Sequence, residues 1–210
     1  RLAEFFKSFY DRQVKNYNSL VNLETQLNEF GGILHDNLYI LSNFIENIEN
    51  GKIFFNILRV LPINKEHYEN FLNVDIINDL FVHNYRARKV NDDIDAFNEG
   101  YRDMKNACIQ KNISREEYQH NANILAGHMK LHVLFEEKLQ EENINLMARV
   151  RARRKKDRPL GGAIMGCFFK QSKTNLRPQE VEAELKIIKA DIEKSQKNSK
   201  EEIDNILSRV

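Results

Sequence analysis

His128 and His132 stand four residues apart and Glu136 follows four later, so any helix that carries them presents all three on one face. At that spacing two imidazoles and a carboxylate can converge on a zinc-type ion, which makes these three the candidate metal ligands. A metal site in a helical bundle also draws ligands from other helices. The same positions border an apolar stripe, so partly buried or surface histidines are the competing reading. Glu117-x-x-His120 has the form of half a ferritin-like di-iron motif. The residues three before the remaining histidines are Gly32, Asn64, Leu80, Leu125 and Met129, none of them acidic, so the second half is missing. Gly161 and Gly166 have the glycine spacing of a phosphate loop, but Cys167-Phe168 stand where Lys-Ser/Thr would have to reach phosphate and Mg²⁺. Cys167 has no histidine near it in sequence to act as a base, and a buried or acylated thiol is the alternative to a nucleophile. No catalytic residue and no cofactor are expected from these patterns, and the balance leans away from an enzyme.

The stretch from Arg149 to Phe169 stands out more. Arg149, Arg151, Arg153, Arg154, Lys155, Lys156 and Arg158 place seven positive charges within ten residues, against one acid, Asp157. An uncharged run follows, Pro159 to Phe169, containing Ile164, Met165, Phe168 and Phe169. Three readings stand side by side. Cations at a helix C-terminus are favoured by the helix dipole and are usually solvated. Lys and Arg beside anionic lipid gain about 1 kcal/mol each, and the four apolar side chains could dip into the interface as an insertion segment. Phosphates of a nucleic acid would accept the same charges, though no recognisable nucleic-acid module surrounds them. The net charge of +1 conceals this polarity. Residues 1–148 carry 16 Lys and Arg against 22 Asp and Glu (−6), and residues 149–210 carry 16 against 9 (+7).

Long helices must position these residues. Eight Gly and three Pro in 210 residues are too few for the turns of a sheet-rich fold, while 41% apolar residues suffice for a core. Apolar residues recur at steps of three and four from Leu2 to Phe30 and again from Leu34 to Ile48, with Gly31-Gly32 between them. We take these as one long helix with a close-packing point at the glycines, ending at Asn50-Gly51. A short helix is expected over 64–72. A long one follows with the stripe Ile77, Leu80, Tyr85, Ile94, Phe97, Tyr101, Met104 and Cys108. Ser114-Arg115-Glu116-Glu117 is a capping box. It opens a helix whose stripe is Ile124, Leu125, Met129, Leu131, Phe135, Leu139, Leu146, Met147 and Val150. Pro178 fits the first turn of a last helix with Val181, Leu185, Ile188 and Ile192 on one stripe.

The expected fold class is all-α: an elongated antiparallel bundle of three or four long helices plus a C-terminal helix. The expected domains are a helical bundle over 1–158, an apolar and basic connector over 159–177 and a C-terminal amphipathic helix over 178–210. Two lone cysteines, Cys108 and Cys167, point to a reducing compartment.

Gln26-Leu27-Asn28-Glu29-Phe30, Asp36-Asn37-Leu38-Tyr39-Ile40-Leu41 and the helix through Asp92-Asp93-Ile94 resemble the cytosolic helical domains of uncharacterised prokaryotic proteins that carry N-terminal transmembrane helices. The resemblance covers roughly residues 20–160 and rests on hydrophobic pattern. It implies a membrane-tethered cytoplasmic domain, and a first residue other than Met is consistent with a trimmed membrane segment. The expected function is a non-enzymatic cytoplasmic scaffold or interaction domain that meets an anionic membrane surface through residues 149–158. A homo-oligomer contact is expected along the C-terminal helix. Nucleic-acid binding by the same run and a metal-dependent helical enzyme are the alternatives.

Overall fold

The computed structural model describes residues 2–49, 59–60, 62, 74–158 and 175–207, with side chains placed for 4–48, 59–60, 62, 76–158, 175–195 and 197. Among the described residues four helices follow one another: α1 (Leu2–Glu49), α2 (Val74–Ile109), α3 (Arg115–Lys156) and α4 (Pro178–Leu207). Among the described residues there is no strand. The fold class is the expected all-α bundle. Gly31-Gly32 leaves α1 unbroken.

The helix ends follow from local chemistry. The Ser114 hydroxyl accepts the Glu117 N–H at 3.1 Å and starts α3. At the end of α2 the Lys111 N–H donates to the Cys108 carbonyl and the Asn112 N–H to the Ala107 carbonyl, with Lys111 at φ 59°. This is a Schellman closure with a lysine where glycine is usual. Pro178 takes the first position of α4, and the Arg177 N–H donates to the Glu180 carboxylate at 2.9 Å, the return bond of a capping box.

The chain divides into two compact units. One comprises Gln26–Lys65 and Ile77–Asn143 and is called the central unit below. The other comprises Arg1–Thr25, Glu66–Ile76 and Ile144–Val210 and is called the terminal unit.

In the central unit three helices share one repeat. The buried positions of α1 are Leu27, Phe30, Leu34, Asn37, Leu41, Phe44 and Ile48; those of α2 include Leu80, His83, Ala87, Val90, Ile94 and Tyr101; those of α3 include Ala122, Met129, Glu136, Leu139 and Asn143. On α1 the steps alternate three and four, a seven-residue repeat that keeps one seam facing its neighbours. The Phe30 ring meets His83 at 4.6 Å and the Phe44 ring meets Phe97 and Tyr101 at 5.4 Å, so α1 and α2 run parallel. Helix α3 opposes both: His83 reaches Asn143 and Tyr101 reaches Tyr118. The antiparallel arrangement thus holds between α3 and its neighbours, while α1 and α2 do not form a hairpin. Val60, between them in sequence, is buried in the same core, and Arg59 pairs with Asp95 at 3.0 Å.

Four residues assigned to inward stripes by periodicity point the other way. Tyr85 on α2 is 70% exposed, and Ile124, Leu131 and Phe135 on α3 are 50%, 61% and 65% exposed. The seam instead takes polar side chains, His83 on α2 and Glu136 and Asn143 on α3. Met129, Leu139, Leu146, Met147 and Val150 of the same expected stripe are buried, so the apolar pattern finds the inward side of α3 but mixes in three residues of the outward one. The short helix expected over 64–72 lies outside the described residues.

Gly31 and Gly32 offer a direct test. A Cβ at Gly31 would sit 2.9 Å from the Asn143 amide nitrogen, whereas a Cβ at Gly32 meets nothing within 4 Å. Gly31→Ala is expected to displace Asn143 and lower unfolding stability by about 1–3 kcal/mol. Gly32→Ala is expected to raise it by roughly 0.5–1 kcal/mol through helix propensity. Urea denaturation of both variants checks this, and equal responses would refute the close approach.

Candidate functional site

Two polar levels cross the apolar core of the central unit. At the first, the Asn143 side-chain amide donates to the Leu27 carbonyl at 2.8 Å, and its oxygen lies 3.2 Å from His83 Nε2. Because that oxygen is an acceptor, His83 must carry its proton on Nε2. The imidazole is 3% exposed, and burial pushes its pKa down to about 4, with the Asn143 bond acting the other way. His83 is therefore neutral and serves as a fixed donor.

The second level lies farther along the same core. Since Phe30 faces His83 and Phe44 faces Phe97, Asn37 stands level with Val90 and Asn91. Since Asn143 faces His83 and His132 lies 3.9 Å from Asp93, Glu136 belongs to the same turn. Asn37 and Glu136 are fully buried and Asn91 is 2% exposed. His132 Nε2 is 3.2 Å from Glu136 Oε1. Glu136 Oε2, Asn91 Oδ1 and both polar atoms of Asn37 have no hydrogen-bond partner among the described residues. A buried polar group left unpaired costs about 1–3 kcal/mol, so this level weakens the core that the first level locks. Sequence periodicity of apolar residues passes over Asn37, His83, Asn91 and Asn143. The seven-residue spacing that joins Leu34 to Leu41 through Asn37 is the signal that finds the first of them.

Of the three candidate metal ligands, His132 and Glu136 meet, and His128, one turn before His132, is exposed. Among the described residues no group of three or more His, Cys, Asp or Glu is arranged to hold a metal ion. Glu117 serves the helix cap through its N–H, and His120 is exposed.

The basic run closes α3 in the terminal unit and meets carboxylates there. Arg151 Nε donates to Glu24 at 2.7 Å and also lies 3.9 Å from Asp191. Arg154 contacts the second Glu24 oxygen at 2.9 Å. Arg153, buried, donates to Asp157 at 2.6 Å. Lys155 pairs with Glu184, and Lys156 donates to the Asn175 carbonyl at 3.1 Å and lies 3.6 Å from Glu180. Asp157 is held up in pKa by burial, against the pull of Arg153, Lys156 and the Asn16 amide. The exposed Glu180 carboxylate is drawn below its usual range first by the Arg177 N–H and then by Lys156. Five of the seven cations thus face acids of their own unit, Arg149 is half-buried, and Arg158 is exposed at the helix end. The insertion residues Ile164, Met165, Phe168 and Phe169, like Cys167, lie outside the described residues. On α4, Ile188 is buried and Val181, Leu185 and Ile192 are half-buried, so the stripe expected to pair with another chain packs within the terminal unit.

The surface feature that periodicity concealed is the outward side of α3. Ile124, Leu131, Leu134 and Phe135, 50–65% exposed, lie opposite Ala122, Met129 and Glu136. Four large apolar side chains at such exposure amount to roughly 400 Å² of apolar surface, within the size range of patches that on monomers are often functional. This helix is apolar on two sides, and its core uses only one.

Two measurements test the electrostatics. An unfolded chain protonates His83 near pH 6.5 and the folded one near 4, so folding stability falls as pH drops through that window, by about 3 kcal/mol at most, and is insensitive to this group above it. His83→Gln should flatten the slope of stability between pH 7 and 4.5 relative to the parent, and identical slopes would contradict the buried neutral imidazole. Glu24→Gln strands Arg151 and Arg154 and is expected to cost about 1–2 kcal/mol, less at high salt. Urea midpoints at low and high salt measure it, and an unchanged midpoint would count against the pairing.

Compared with protein-family models, with curated proteins and with solved structures, the chain finds no match.

Proposed function

We propose that this chain is a non-enzymatic helical interaction module whose contact face is the outward side of α3. The observation that carries the reading is the run of Ile124, Leu131, Leu134 and Phe135 on the side of α3 opposite its core. Exposed large apolar residues scattered singly need no explanation, but four within three turns of one helix face do. Desolvating such a face is favourable at about 25 cal/mol per Å², and the described residues leave it exposed.

The basic run supports this placement by what its charges already do. Ion pairs to Glu24, Asp157, Glu180 and Glu184 neutralise cations that lipid or nucleic-acid phosphates would otherwise meet. An exposed pair is worth little by itself, but Arg151, Arg153 and Arg154 are largely covered, and moving them to an external anion would strip them from buried partners. No helix among the described residues is long and apolar enough to cross a membrane. A cytoplasmic setting, and any tether upstream, belong to the proposal on the strength of the cysteine usage and the resemblance given above.

A photo-reactive amino acid placed at Leu131, in cells expressing the chain, is expected to give a protein adduct of discrete mass. The same group at Lys89, exposed on α2, should not, and Phe135→Glu should abolish the adduct at Leu131. Lipid adducts alone, or none above the control, would overturn the reading.

A further inference from the structure

The inference here rests on the reading of α3 as a contact face and names the partner. The outward stripe has its own seven-residue repeat: Ile124, Gly127, Leu131, Leu134 and Lys138, with steps of three, four, three and four. Phe135 flanks it. All of these positions are exposed. Gly127 is the informative member. It sits in the middle of a helix, where glycine costs roughly 1 kcal/mol against alanine. A Cβ there would meet nothing within 4 Å, so nothing among the described residues requires its absence. A small residue on an outward helix face lets a second helix approach closely, and the residues around it say what that helix must carry.

We propose that the partner is a second copy of this chain, docked through an antiparallel pairing of the two α3 helices about a two-fold axis that crosses the outward stripe at the level of residue 129. In a two-fold antiparallel pair centred there, residues whose numbers sum to 258 face each other. Leu131 of each copy then lies over Gly127 of the other, and Ile124 of each lies against Leu134 of the other. Every apolar member of the stripe meets either an apolar residue or the gap that receives it. Lys138 falls opposite His120 and ends the stripe in polar residues at both sides. A parallel pair does worse on each count: Gly127 would face Gly127 and leave a void, and Lys138 would face Lys138. Antiparallel pairing is also isologous, so one patch serves both copies and the assembly closes at two. With Phe135 included, the two stripes bury about 800 Å² of apolar surface at roughly 400 Å² each, below the about 1,200–2,000 Å² of stable specific interfaces and in the range of weak, transient ones. That size suits a dimer of micromolar rather than nanomolar affinity.

Sedimentation of the purified full chain up to the order of 100 µM tests this, with circular dichroism confirming that each variant is folded. The parent chain is expected to form a concentration-dependent dimer. Leu134→Glu and Gly127→Leu, both on the exposed face, should each weaken it at least tenfold. Leu131→Gly combined with Gly127→Leu exchanges the projecting and receiving residues and should recover dimerisation relative to Gly127→Leu alone. A parent chain that stays monomeric would overturn self-pairing; if the adduct at Leu131 still forms in cells, the contact face stands with another partner. A dimer indifferent to all three substitutions, or a double variant no better than Gly127→Leu, would overturn this interface.

Discussion

The central unit depends on one close approach. Asn143 on α3 donates to the carbonyl of Leu27, an oxygen that already accepts within α1 and lies beside residue 31 one turn on. Only a residue without a Cβ leaves that carbonyl open, and the distance from Gly31 to the Asn143 amide shows how little room remains. The Asn143 oxygen is then directed at His83 on α2, so a single carboxamide ties three helices at one level. Apolar seams of Leu, Ile and Phe bury area in any register that keeps them facing inward. A polar residue that finds its partners in one register alone penalises the others, which is the best attested role of buried polar groups in helical assemblies.

How much of this was legible in the sequence depends on what each signal measures. The ends of the described helices were legible: the capping box at Ser114 and Pro178 at the start of α4 are local chemistry, and the structure keeps them. The continuity of α1 through Gly31-Gly32 followed from an unbroken apolar period on either side. The face of α3 was legible only in part: Met129, Leu139, Leu146, Met147 and Val150 are buried as their spacing suggests, but Ile124, Leu131 and Phe135 belong to a second apolar stripe, and the inward one is interrupted by Glu136 and Asn143. An average over residue types assigns the core to the more apolar of two faces. Here the partners of the polar residues decide it, and those lie on other helices.

The charge asymmetry has a similar resolution. Seven cations in ten residues suggest an external polyanion when only neighbours in sequence are counted, since Asp157 alone is nearby. The fold brings in Glu24 from the first helix and Glu180, Glu184 and Asp191 from the last. Some of the excess charge at the two ends of the chain therefore cancels on folding: Arg151 and Glu24, which meet directly, are 127 residues apart in sequence. Salt bridges of this kind contribute modestly each, but as a network around the end of α3 they offset the mutual repulsion of its closely spaced cations, which the helix dipole alone favours at that end.

The contrast between the two polar levels also bears on α3. At the first level the Asn143 amide and the His83 Nε2–H both have partners and only the acceptor His83 Nδ1 is left without one; at the second, Asn37, Asn91 and Glu136 leave several buried atoms unpaired. Glu136 and Leu131 are less than two turns apart, on opposite sides of one helix. The middle of α3 therefore has an inward side that stabilises it poorly and an outward side with apolar surface to spare. Covering the outward surface is favourable in proportion to its area alone, and that gain offsets part of the cost that the unpaired atoms leave inside. That coupling places the weakest part of the core and the candidate contact face on the same few turns, and it gives α3 a reason to be apolar where a solvated helix would be charged.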